Sequence, residues 1–212
     1  TEPPATPAGP SALPSPTTVS SAALGWMQYR DPRYGYGIAL PCYWSVTPTP
    51  MEGTYAAMTA RSYSDEFFAQ HSERGEWLGG VWPAGAYKLD AVVFENMDAS
   101  LPVPDALRLW YSIPQNASEQ QLVAVEETSF GSRTSYLATL QGGLQGAEKV
   151  RIVYFPLRPG RLIGFVFLPG TALESPDVQA ILASFVPTSA EAVNFPGRPP
   201  AETPGGGPVS CS

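Results

Sequence analysis

Residues that carry chemistry are what this sequence has least of. It holds one histidine and two cysteines in 212 residues. A four-ligand zinc site cannot be assembled from those three without added carboxylates. A hydroxyl or thiol nucleophile needs a base within hydrogen-bond reach, and the only histidine, His71, lies in the polar run QHSERGE beside Glu73 and Glu76. It reads as a solvated loop histidine. There is no Gly-x-Ser-x-Gly elbow, no calcium loop of the EF-hand type, no phosphate-cradling loop and no dinucleotide fingerprint. Lysine is scarce too, with Lys88 and Lys149 as its two occurrences and a formal charge of -7 for the chain. Nucleic-acid binding needs a basic patch that displaces condensed counterions, so that class is excluded, and no polybasic run would hold an anionic membrane. No apolar run approaches the roughly 20 residues of a membrane span. The longest, residues 162–168, is interrupted by Gly164 and stopped by Pro169.

Paired carboxylates are the one catalytic chemistry left open. Glu126 and Glu127 adjoin on an expected strand, point to opposite faces and cannot share a substrate. Asp90, Glu95 and Asp98 can meet only at a sheet edge, which leaves a hydrolase as a minor alternative. The expectation is no enzyme, no cofactor and no metal.

What the sequence has in excess is proline, 24 residues against about ten at the usual 5%. Half of it falls in residues 1–16 and 187–212. Residues 1–22 are rich in Pro, Thr, Ser and Ala, and residues 188–212 in Pro and Gly. Neither segment has an apolar period that would build a core. One domain is expected between them, over residues 23–187. The start at Thr1 and the tail behind it read as the processed end of an exported protein. A lipid-bearing cysteine that would tether such a tail is not in the sequence.

Within the domain, the apolar pattern predicts strands over residues 35–40, 44–47, 55–63 and 88–97, then a helix over 102–113. Two hairpins follow, 123–130 with 134–140 and 149–157 with 161–168. A last helix opens at Ser175, Pro176 and Asp177 and carries Val178, Ile181, Leu182 and Phe185 on one stripe. Segment 161–168 is apolar on both faces, as is 88–97, so the sheet they form must be covered on both sides. An α+β fold follows, an antiparallel sheet sandwiched by helices.

The segment YRDPRYGYGIALPCYW, residues 29–44, resembles the opening of PsbP-like domains, in which a Gly-aromatic strand runs to a proline and then to a tryptophan. The final ILASF, residues 181–185, is similar to the family's last helix. The resemblance spans roughly residues 26–187. It implies an α-β-α sandwich on an antiparallel sheet, usually without catalysis, in extrinsic subunits of photosynthetic membranes, regulators that bind another protein, and bacterial lipoproteins. The lysine-rich docking surface of some photosynthetic members is missing here.

Two further features bear on function. Cys42 and Cys211 point to an oxidising compartment, and a bridge between them is the leading expectation, with free thiols or a bridge to another chain as alternatives. Aromatic residues crowd the first half of the domain. Residues 72–87, SERGEWLGGVWPAGAY, read as a loop or wide hairpin, with Trp77, Trp82 and Tyr87 as candidate binding residues. Asn116-Ala117-Ser118 fits the glycosylation acceptor pattern. The expected function is an extracytoplasmic protein-binding domain, an accessory subunit tied to a membrane through a lipid anchor or its partner. A small-ligand or carbohydrate receptor using the aromatic loop is the alternative.

Overall fold

Arg161–Leu168 is buried at all eight positions, and the architecture follows from covering its two sides. A computed structural model of the chain describes residues 25–48, 57–74, 82–113, 120–142 and 149–188. The strands are β1 Trp26–Asp31, β2 Tyr36–Pro41, β3 Ser45–Pro48, β4 Met58–Arg61, β5 Lys88–Phe94, β6 Gln121–Phe130, β7 Arg133–Gln141, β8 Lys149–Arg158, β9 Arg161–Leu168 and β10 Val186–Pro187. The helices are α1 Asp65–Glu73, α2 Val103–Ser112 and α3 Pro176–Ala183, with a 3₁₀ turn at Gly170–Glu174. Seven strands form one sheet in the order β3-β4-β5-β9-β8-β7-β6, and three form another in the order β1-β2-β10. Every pairing is antiparallel.

Alternation along the central strands sends side chains into two cores. Ile163, Phe165 and Phe167 of β9 join Leu89 and Ala91 of β5 in the first core, which is closed by β1, β2, the 3₁₀ turn and α3. Leu162 and Val166 join Phe94, Tyr154 and Ile152 in the second, closed by Ala106, Leu107 and Tyr111 of α2. The fold is α+β and the large sheet is covered on both faces. One cover is a helix, α2. The other combines α3 with the small sheet, because β2 is buried at all six positions and needs partners of its own.

Both expected hairpins form, with Phe130 opposite Arg133 and Arg158 opposite Arg161 across two-residue turns. The stripe of the last helix is buried, and Phe185 just beyond it stacks on Phe155 with ring centroids 4.3 Å apart. Ser175 sits at the start of α3 but its side chain makes no capping hydrogen bond, so the expected cap is corrected. A proline at the first helical position leaves fewer amide donors for it to satisfy. Four elements do not follow from the pattern: β1, α1, the 3₁₀ turn and β10.

Two small constructions hold the β1–β2 corner. Asp31 is fully buried at the end of β1 and accepts from Arg33 Nε at 2.9 Å, Arg33 Nη2 at 2.5 Å and the Arg33 amide at 3.0 Å. Arg33 also donates to the Ala57 carbonyl at 3.2 Å, tying the corner to the approach of β4. The hydrogen bond to Asp31 holds the Arg33 guanidinium above its ordinary pKa. Burial, reinforced by the Asp31 charge, pushes the Tyr29 phenol up, and burial does the same to Tyr36.

Candidate functional site

Helix α1 is the element that the core does not explain. Ser64 starts it, its hydroxyl accepting from the Phe67 amide at 3.1 Å, and Asp65 and Glu66 follow in the first turn, where the helix dipole favours acidic side chains. No α1 residue is buried. Nine residues is a marginal length for a helix with no fully buried side chain. Yet α1 carries two phenylalanines on successive positions, and Phe68 is 43% exposed.

Around them lies a set of rings. Tyr63 stacks on Phe68, with centroids 6.3 Å apart and planes at 20°. It leans on Phe67 at 6.3 Å and meets Trp82 edge-on at 6.2 Å. His71 lies 4.0 Å from Phe67, ring to ring. The Arg61 guanidinium sits 5.9 Å from the Tyr63 ring while holding Asp65 at 3.0 Å. Partial burial among these groups raises the Tyr63 pKa. The result is an aromatic face with a cationic and acidic margin, carried by a helix and the loop entering β5.

The residues named from sequence divide across this picture. Trp82 belongs to the ring set. Tyr87 does not. It is half-buried against the first core, its amide donates to Ser62 Oγ at 2.8 Å and its carbonyl accepts from the Ser62 amide at 3.0 Å. Trp77 lies outside the described residues, as do Cys211, Asn116 to Ser118 and both terminal tails. Cys42 is half-buried directly after β2, and its amide donates to the Gly25 carbonyl at 3.2 Å. His71 is not a loop residue; it stands in the last turn of α1, because Asp65–Glu73 is a helix that extends into the polar run QHSERGE expected as a loop.

The carboxylates do not converge. Asp90 accepts from Thr59 Oγ1 at 2.7 Å and pairs with Lys88 at 2.9 Å within the sheet. Glu95 pairs with Arg161. Asp98 accepts from the Ser100 hydroxyl at 2.6 Å and the Ser100 amide at 2.9 Å, which lowers its pKa. Each is committed to a different partner. Glu126 and Glu127 both stand exposed on β6. No cluster of three or more potential metal ligands occurs among the described residues, and no described helix is long and apolar enough to cross a membrane.

Tyr63, Phe67 and Phe68 were not picked out from sequence. The signal was there in Ser64-Asp65-Glu66, a helix start that carries the aromatic pair in its first turn.

No family model and no curated protein matches the chain. Among solved structures it is similar to the solution structure of cyanobacterial PsbP (CyanoP) from Synechocystis sp. PCC 6803, at 14% identity and a TM-score of 0.46, over 82% of this chain and 98% of that one. A crystal structure from Bacteroides thetaiotaomicron VPI-5482 is similar at 12% identity and a TM-score of 0.40, over 77% of this chain and 48% of the other. The likeness to the PsbP structure is the one expected from residues 29–44 and 181–185. It is one of layout, and no residue role passes between chains at such identities.

Proposed function

We propose that the protein is a non-catalytic, extracytoplasmic protein-binding domain that docks a partner through the aromatic face of α1, as an accessory subunit of a membrane-associated assembly. The observation that carries this reading is Phe68, 43% exposed on a helix none of whose residues is fully buried. Exposed aromatic side chains are expensive to keep in water and are enriched at the centres of protein interfaces. Tyr63 and Trp82 extend the same face, and Arg61 and Asp65 give it a polar margin.

The compartment is part of the same proposal. Proline-rich tails and a pair of cysteines suit an oxidising, exported setting. The sequence's two cysteines are Cys42 and Cys211. The tails at residues 1–22 and 188–212 are proposed as linkers about the domain.

The test is capture from detergent-solubilised membranes of the source cells, comparing the wild type with Phe68→Glu and with Leu109→Glu. Leu109 is 48% exposed on α2, away from the aromatic face, and serves as the control. Capture lost with Phe68→Glu and kept with Leu109→Glu supports the reading. Equal capture by all three overturns it. Saturable binding of soluble oligosaccharides that Phe68→Glu abolishes, with no protein captured, would move the same face to the receptor alternative.

A further inference from the structure

The end of the large sheet near the β8–β9 turn holds a recess that the aromatic face does not involve. A cavity of about 360 Å³ opens between that turn and the connection from β5 to α2, with Met97, Leu101, Val103 and Leu157 among its walls and Arg158 and Arg161 beside them. A second recess of about 460 Å³ shares both arginines and adds Glu95 and Asn96. The smaller volume falls at the lower end of the range of about 300–1,000 Å³ typical of small-molecule pockets.

The walls are held in place by the backbone. Gly160, in the left-handed region at φ 74°, accepts from the Met97 amide at 3.0 Å. A β-carbon on Gly160 would stand 2.9 Å from the Met97 carbonyl oxygen, closer than any side chain tolerates. Asn96, the residue before, is the one described non-glycine residue with positive φ, at 58°. Asparagine tolerates that conformation better than most side chains. The two loops are therefore clamped edge to edge, and the recess between them is preformed.

Charge says what it would take. Arg158 and Arg161 are direct cross-strand partners, and like charges in that relation destabilise a hairpin. Arg161 is nearly buried and answered by Glu95. Asp98 is occupied by Ser100. Arg158 is exposed, and among the described residues no carboxylate stands within ion-pair distance of it. A planar guanidinium above an apolar wall matches a carboxylate, which it can engage with two parallel hydrogen bonds. A dianion such as phosphate would face one uncompensated cation with Glu95 and Asp98 nearby, so a single negative charge fits better.

We propose that this recess binds a small amphipathic monocarboxylate, its carboxylate on Arg158 and its apolar body against Met97, Leu101, Val103 and Leu157. The test is a titration of the ¹⁵N-labelled full chain with octanoate, 1-octanol and inorganic phosphate, repeated with Arg158→Gln. Octanoate should shift the amides of Asn96, Met97, Gly160 and Arg161 saturably. Removing the ligand's charge or the Arg158 charge should each weaken binding about tenfold, within what a charge-assisted hydrogen bond contributes. Arg158 is exposed, so an unchanged melting curve for Arg158→Gln confirms that the loss is local. The proposal is overturned if octanoate gives no saturable shift at these amides, if 1-octanol or phosphate binds as well, or if Arg158→Gln leaves the affinity unchanged.

Discussion

Gly164 sits in the middle of β9, where the second core closes over the sheet. A β-carbon there would lie 2.9 Å from Tyr154 Cε1, 3.0 Å from Ile152 Cγ2 and 3.1 Å from Phe94 Cε2. These neighbours are packed in the interior, the Tyr154 hydroxyl being tied to that of Tyr111 at 2.6 Å, so none can retreat without disturbing the others. Gly164→Ala should destabilise by about 1–3 kcal/mol, as overpacking does, measured by chemical denaturation; a loss under about 0.5 kcal/mol would mean that the Tyr154 ring moves freely. In the sequence Gly164 is visible only as a break in an apolar run, since the ring it accommodates comes from another strand. Asp31 was less legible still. A carboxylate reads as surface, and only the fold reveals the Arg33 fork that makes its burial tolerable. The buried tyrosines give a pH prediction. Tyr29 and Tyr36 have folded pKa values above the ordinary one near 10.0, so unfolding releases their protons in alkali. Their stabilising contribution is complete below about pH 10 and is lost as pH rises toward the folded values. The melting temperature should fall steeply above about pH 10, with tyrosinate absorbance following the unfolding curve. Tyr29 and Tyr36 ionising while the protein stays folded would contradict it.

Whether an element is legible depends on how much of it the core uses. Strand β9 and helix α3 declare themselves because their side chains meet neighbours at the period of their own backbone. Phe185 is buried, stacks on Phe155 and meets Phe165 edge-on at 5.9 Å. Phe185→Ala should cost about 3–5 kcal/mol, the usual loss for a truncated core phenylalanine. A denaturation midpoint close to wild type would show that the Phe185 ring, just beyond α3, contributes little to the first core. Strand β1 was missed although Met27, Tyr29 and Asp31 alternate inward, because the third inward position carries a charge. Helix α1 was missed for the opposite reason. None of its residues is fully buried and it shows no apolar period, so its capping serine and acidic first turn are the only signals. The same fact explains why the aromatic site was half legible. Trp82 stood out by residue type, while Phe67, Phe68 and Tyr63 acquire meaning only once the helix sets them beside it. Tyr87, equally prominent by type, turns inward.

For the whole molecule, the layering expected from two-faced strands is present, and what the pattern did not give is how one cover is made. The small sheet of β1, β2 and β10 arises because β10, two residues after α3, returns to pair with β2, Val186 opposite Gly37. The described residues end at the opening of β2, where the Thr188 amide donates to the Gly35 carbonyl at 2.8 Å, whereas Cys42 follows the other end of that strand. A link from Cys42 to Cys211 would close nearly the whole domain. Chain-entropy estimates for a loop of this length reach roughly 5 kcal/mol. The bridge requires α-carbons within about 7 Å. Mass spectrometry of the non-reduced protein, cleaved between the two cysteines, should yield one linked peptide holding Cys42 and Cys211. Reduction should then lower the melting temperature without changing the far-ultraviolet spectrum, since the two cores do not depend on the link. Two freely alkylated thiols in protein recovered from an oxidising compartment would remove the bridge, and with it the cysteine argument for export. A peptide from another chain attached to Cys211 would leave the compartment standing and identify the partner directly.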